Sequence, residues 1–399
     1  MKPTKPMPIV EFIVFTALMF ATVAYSIDSM LPLILQIGDA LAPQNPQSAQ
    51  LVVTSFVMGL GLGTLVIGPI SDAFGRKPVI LVGISVYMIA AVFAATSDSM
   101  AVLLAARFLQ GIGVAAPRVV TQALVRDLYV GRHMARIMSF AMTIFVLVPA
   151  IAPLMGATLG ALFGWRAIFW SFLVFGSISG TWLLLRQPET LPIAKRRPLE
   201  PGPVLRAFRE VFRHRQVMLY LLALTFSFAT MFIWLSSIAQ IFHDVYDRAD
   251  EFPLWFALSA VMSAPGSLVN AQLVLRLGMR KLVIAALIGQ VGLVLGVLAL
   301  FAVTESLPFW AFFGFMFGHF FAVGLVFGNL NALALEPLGH IAGTASSVMG
   351  GVSTMASALI AAPLAALYNG TPLPLMQGVL LCGLCALAAM GLARRFGTP

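Results

Sequence analysis

The stretch GPISDAFGRKPVI, Gly68 to Ile80, places Asp72, Arg76 and Lys77 in a short turn between two long apolar runs. Half a chain later the pattern returns: FGRKPVI, beginning at Phe74, is answered by LGMRKLVI, beginning at Leu277. In each copy a glycine, Gly75 or Gly278, leads an Arg-Lys pair into the next apolar run. Charge confined in this way, and repeated at the same place in each half, implies a chain that hides most of its length from water and is built from two related halves.

The composition agrees. Charged residues make up 10% of the 399 and hydrophobic residues 60%, whereas soluble domains carry roughly 25% charged residues. Apolar stretches of about 20 residues, each enough to cross a hydrocarbon core of about 30 Å, recur from end to end. The spacing predicts twelve spans, at 11–37, 48–70, 78–97, 100–126, 134–161, 166–186, 217–243, 252–276, 279–302, 306–334, 341–367 and 373–394. No alternation of the kind a transmembrane barrel needs runs through them. The expected fold is therefore an all-α polytopic membrane protein, with six-helix halves at 1–190 and 217–399 joined by a linker at 191–216. The linker is rich in proline and basic residues, with an amphipathic surface helix expected from Val204 to Arg215.

The net charge of +9 is a topology signal. Twenty of the 24 lysines and arginines fall on the side of the membrane that carries the N-terminus. Lys and Arg mark cytoplasmic loops, so both termini are expected to face the cytoplasm, and no nucleic-acid partner is implied. Cys382 and Cys385 lie inside an apolar span and read as small buried hydrophobes. The five histidines are scattered and no P-loop is present, which argues against an enzyme or an ATP-driven pump. Six-helix halves related by a repeat are the architecture of many secondary transporters, with the binding site near the midplane. The expected partners are a small-molecule substrate, protons and the lipid bilayer, with no cofactor, no metal and a monomeric assembly.

Several motifs on the expected segments resemble the major facilitator superfamily. Its pattern between spans 2 and 3 is met by Gly68, Asp72, Gly75, Arg76 and Lys77. Arg107, Gln110, Gly111 and Gly113 are similar to its span-4 pattern, and Pro149, Pro153, Gly156 and Gly160 to its span-5 antiporter signature. Asp28 and Pro32 in span 1 resemble the bicyclomycin/chloramphenicol-resistance branch of twelve-helix drug/proton antiporters. The second-half loop departs from the first, with Asn270 and Gln272 where an acid would stand. The resemblance implies a bacterial cytoplasmic membrane, alternating access, and export of small hydrophobic compounds in exchange for protons. Transport of a specific metabolite, anionic or zwitterionic, stays open because Arg107 and Arg118 would welcome it.

The roles expected from resemblance and physics are these. Asp72 acts in a gate by meeting the start of span 11 near Gly343. Asp28 is an intramembrane carboxylate, costly unless functional, and lies about 13 Å below the outer end of its span. Arg107 comes about 9 Å below the same face, so the two are expected to pair, directly or through water, and to carry proton coupling. A fixed structural ion pair is the competing reading. Arg118 falls within about 20° of the Arg107 face. The expected substrate cavity draws on Asp28, Arg107, Gln110, Arg118, Phe232, Trp234, His319 and Asn329. Gly156 and Gly160 are expected to pack against span 8 at SAPGS, Ser263 to Ser267.

Overall fold

A computed structural model describes residues 7–129, 133–134, 136–138, 140–141, 147–196, 198–199 and 201–396. The first unit contains α1 Ile9–Asp28, α2 Ile34–Leu41, α3 Leu51–Phe74, α4 Arg76–Ala95, α5 Met100–Leu128, α6 Val148–Phe163 and α7 Arg166–Arg186. An amphipathic helix, α8 Pro201–Arg213, leads into the second. There follow α9 Arg215–Asp244, α10 Phe252–Ser263, α11 Pro265–Leu277, α12 Met279–Thr304, α13 Phe309–Leu335, α14 Ala342–Ala365 and α15 Leu373–Phe396. The chain falls into two compact units, Met1–Val204 and Leu205–Pro399; the division lies within the stretch read as a linker.

Among the described residues, ten helical stretches are long and apolar enough to cross a membrane. One of them, Phe309–Ala365, holds two helices in series, and Val148–Phe163 is a shorter apolar helix. Together these account for the twelve expected spans, although part of 134–161 lies outside the described residues. Large apolar side chains such as Val82, Phe93, Val174, Leu275 and Val303 point outward and are exposed. Such a surface suits hydrocarbon, and these positions need lipid for their partner.

Two expected single helices are broken, each at a proline. Span 1 stops at Asp28, because a continuing helix would need an N–H at position 32 to reach the Asp28 carbonyl, and Pro32 has none. The chain instead tightens through a 3-10 turn at Leu31–Leu33 before α2 begins. Span 8 is likewise interrupted at Ala264, ahead of Pro265.

Within the first unit, helices close on one another through glycine. A Cβ on Gly59 would overlap the Phe108 carbonyl, and one on Gly111 the Phe56 carbonyl. The backbones of α3 and α5 thus touch where no side chain intervenes, the arrangement that favours helix association in lipid. In the second unit Tyr220, Leu224, Leu287, Leu330, Val348 and Met390 join one buried cluster.

The repeated turn has the same backbone in both halves. Gly75 joins α3 to α4 with φ of 104°, and Gly278 joins α11 to α12 with φ of 78°. A β-carbon is unfavourable at such a positive φ, so a one-residue hinge between two long helices selects glycine in each unit.

Candidate functional site

The break in span 1 is the centre of the first unit's polar interior. Met30 donates its N–H to the Ile27 carbonyl at 3.2 Å, a tight turn that takes the Ser26 carbonyl out of the helical ladder. Arg107, on α5 and fully buried, fills that gap: its Nη2 donates to the Ser26 carbonyl at 2.9 Å. Nη1 donates to Gln110 Oε1 at 2.9 Å and Nε to the Val52 carbonyl at 3.4 Å. The guanidinium also lies over the Phe56 ring, 4.3 Å from its centroid, within reach of a cation–π attraction. A cation at the C-terminal end of a helix is favoured by the helix dipole as well.

Ser26 and its neighbours add further ties. Ser26 Oγ is 2.7 Å from the Tyr87 hydroxyl on α4, and the Tyr25 hydroxyl is 2.7 Å from Ser171 Oγ on α7. The turn itself is held by Ser29, whose hydroxyl donates to the Tyr25 carbonyl. From the other side α6 comes so close that a Cβ on Gly156 would overlap the Ser29 carbonyl, while one on Gly160 would meet the Leu33 side chain. The small-residue face expected to meet span 8 therefore packs on the break in span 1. Pro149 falls in the first turn of α6 and Pro153 inside it. SAPGS packs within its own unit, where a Cβ on Gly266 would press on the Phe321 carbonyl of α13.

Asp28 sits at the end of α1 with 6% of its surface exposed. The expected direct pair with Arg107 does not form, because the guanidinium is already committed to the Ser26 and Val52 carbonyls and to Gln110. Among the described residues Asp28 has no hydrogen-bond or ion-pair partner. Gln110 is fully buried, and its Nε2 has none either. Arg118, half-buried further along α5, is also unpaired among the described residues.

A second polar cluster surrounds the repeated turn of the first unit. Arg76 bridges two acids, Asp72 at 2.5 Å and Asp127 at 3.1 Å, and donates to Ser71 Oγ at 2.7 Å. The Glu189 carboxylate accepts from the backbone N–H groups of Arg76 at 3.0 Å and Lys77 at 3.1 Å, so it caps α4. Lys77 Nζ returns the favour to the end of α7, donating to the carbonyls of Leu184 at 2.8 Å and Gln187 at 2.7 Å. Asp127 and Glu189 were not singled out from the sequence. The available signal was their scarcity: acids number only 15 in the chain, and these two stand at span ends on the same side as the motif.

In the second unit the expected cavity residues separate. His319 is 1% exposed and pairs through Nδ1 with Gln290 Nε2 of α12 at 2.9 Å. Trp234 is fully buried, its ring 5.6 Å from the His319 ring and 4.8 Å from Phe315. Both side chains thus pack against neighbouring helices of their own unit. Phe232 is buried as well. Asn329 donates through Nδ2 to Asn270 Oδ1 at 2.6 Å, tying α13 to α11. In the second copy of the turn Arg280 donates to the Tyr220 hydroxyl at 2.8 Å, where the first copy uses carboxylates. No group of three or more His, Cys, Asp or Glu able to hold a metal occurs among the described residues.

Comparison with known proteins identifies the family and the fold. A family profile described as Major Facilitator Superfamily matches residues 13–362. A bicyclomycin resistance protein homolog of Haemophilus influenzae is 30% identical over 356 residues, 88% of either chain. Multidrug resistance protein D of Escherichia coli is 28% identical over 79% of this chain and 78% of its own. Among solved structures, a D-xylose-proton symporter aligns with a TM-score of 0.74 at 15% identity, over 97% of this chain and 98% of that one. The human organic anion transporter MFSD10 aligns with a TM-score of 0.70 at 19% identity, over 97% and 99%. At these identities the structures speak for the fold alone.

Proposed function

The chain belongs to the Major Facilitator Superfamily, and we propose that this secondary transporter exports small hydrophobic and amphiphilic compounds in exchange for protons by alternating access. The observation that carries the reading is Asp28: a buried carboxyl group, at the break of a membrane-spanning helix, with no counter-ion among the described residues. Intramembrane acids mark ion and proton pathways. Broken helices place polar groups at substrate and ion sites in many transporters. A carboxyl group whose surroundings differ between two states can take up a proton in one and give it up in the other. The relatives named for bicyclomycin and multidrug resistance supply the substrate class.

In this reading Asp28 carries the proton and Arg107 positions it. Arg107 remains charged throughout and keeps the helix break fixed, so that the acid is presented at one place. The Asp72–Arg76–Asp127 cluster, with Glu189 and Lys77, belongs to a gate on the side of the termini. The excess of basic residues on that side supports cytoplasmic termini, and the bacterial relatives support the inner membrane of a bacterium.

A second reading, export or uptake of an anionic or zwitterionic metabolite, is favoured by one observation: Arg118 is half-buried and unpaired among the described residues. The two readings separate in liposomes that enclose a pH dye and hold a pH gradient. Addition of phenicols or quaternary ammonium dyes should release protons from the acidic compartment in a dose-dependent way. Release by small carboxylates, with none by the amphiphiles, would transfer the assignment to the second reading.

A further inference from the structure

The helix between the units has a geometry that its role as a linker does not require. In α8 the side chains of Ala207 and Val211 are buried, joining the cluster of the second unit that includes Val217 and Leu338. Only His214 separates the end of α8 from α9, which is long and apolar enough to span the membrane. The helix is therefore held at the ends of membrane-spanning helices, at the level where bilayer meets water.

What α8 shows outward divides into two neighbouring strips. Leu205 is 70% exposed and Phe212 42%. Seven residues apart, the two lie within about 20° of each other around the helix. Phe208 completes the strip, its ring parallel to that of Phe212 with centroids 5.9 Å apart. Beside it, Arg206, Arg209 and Arg213 fall within an arc of about 60°. All three are exposed and none has a hydrogen-bond or ion-pair partner among the described residues. The one acid of this stretch, Glu210, is turned to His340, whose Nε2 lies 2.8 Å from its Oε1. Among the described residues no carboxylate forms an ion pair with the three guanidinium groups.

We propose that α8 is a binding surface for anionic phospholipid headgroups: Leu205 and Phe212 enter the acyl boundary, and Arg206, Arg209 and Arg213 take the phosphates. An apolar strip bordered by cations is the pattern by which helices lie in an interface. Basic clusters beside a transmembrane helix are drawn to anionic lipid, and the planar guanidinium matches phosphate oxygens in pairs. An acidic soluble partner would satisfy the arginines but would leave the adjoining leucine and phenylalanine unexplained. A membrane accounts for both strips at once.

The test uses the full chain with Cys382→Ala and Cys385→Ala, carrying a bimane dye on Leu205→Cys. The protein is placed in vesicles of zwitterionic phospholipid alone, or with one-third phosphatidylglycerol, each doped with a lipid quencher near the headgroup. The expected result is quenching several-fold stronger in the anionic vesicles and weakened by high salt. Arg206→Gln, Arg209→Gln and Arg213→Gln together should remove the difference. Equal quenching in both vesicles, or none in either, overturns the proposal. Release of the dye by inorganic phosphate at constant ionic strength also overturns it, since the site would then belong to a free anion. The comparison of the two vesicles needs no arginine variant, so it stands even where the triple variant fails to fold.

Discussion

Arg107 Nη2 and the Ser26 carbonyl are 2.9 Å apart, and the bond exists because the tight turn after α1 draws the Met30 N–H to the Ile27 carbonyl and leaves Ser26 without its helical donor. The arginine expected to neutralise an acid thus braces a backbone instead. This arrangement fixes where Asp28 stands and leaves it unpaired among the described residues.

Loss of this bond should be felt in stability before chemistry. Arg107→Ala strands the Ser26 carbonyl in a buried site, which costs about 1–3 kcal/mol for an unsatisfied group. Arg107→Lys can reach one of the three acceptors but cannot fork between them. Thermal melting in detergent should therefore rank wild type above the lysine variant and the lysine variant above alanine. Equal melting of all three would remove the brace.

The contact between α6 and the break makes a graded prediction. Gly156→Ala drives a Cβ into the backbone carbonyl of Ser29, whereas Gly160→Ala meets only the Leu33 side chain. Backbone must shift in the first case and a leucine rotamer in the second. Overpacking typically costs about 1–3 kcal/mol, so Gly156→Ala should fall at the upper end and Gly160→Ala below it. Melting temperatures of the two variants decide the order.

Around the repeated turn, the two acids should separate in their effects. The Asp127 side chain is 22% exposed and that of Asp72 44%; Asp127 also accepts from Thr190. Asp127→Asn should lower the melting temperature more than Asp72→Asn. Glu189→Gln keeps an acceptor oxygen but removes the charge at the start of α4, a change worth about 0.3–1 kcal/mol. If Asp72 serves the gate, Asp72→Asn should slow transport while leaving melting nearly unchanged. A transport rate that tracks melting in every variant would make the cluster structural only.

His319 is a control for the proton assignment. Packed against Gln290 and Trp234, it should be dispensable for coupling and useful for stability. His319→Phe should leave a buried Gln290 unpaired and lower stability, and adding Gln290→Leu should recover part of the loss. Substrate-driven proton movement should survive in the double variant. Its disappearance would restore His319 to the coupling pathway.

These residues also show what a sequence can carry. A charge inside an apolar run, a proline four residues after it, and a glycine before an Arg-Lys pair are each local, and Asp28, Pro32 and Gly75 were legible for that reason. The twelve spans follow from apolar length alone. The interruption of span 1 was foreshadowed by Pro32, yet a continuous apolar pattern hides it, because hydropathy does not register a missing N–H. Partners distant in the chain were harder. Two of the three acceptors for Arg107 are backbone carbonyls, which leave no trace in residue identity. Glu189 reaches α4 from the far end of α7. A single histidine within a helix reads alike on either face, and only its pairing with Gln290 shows which way it turns.

The most direct test of the central claim compares wild type with Asp28→Asn in liposomes holding a pH gradient and a trapped pH dye. Asparagine keeps the size and hydrogen-bonding capacity of the side chain but cannot exchange a proton. The account predicts that substrate-driven proton movement disappears in Asp28→Asn while the protein melts and binds labelled substrate as wild type does. Proton movement that persists in the variant at an unchanged rate would contradict it.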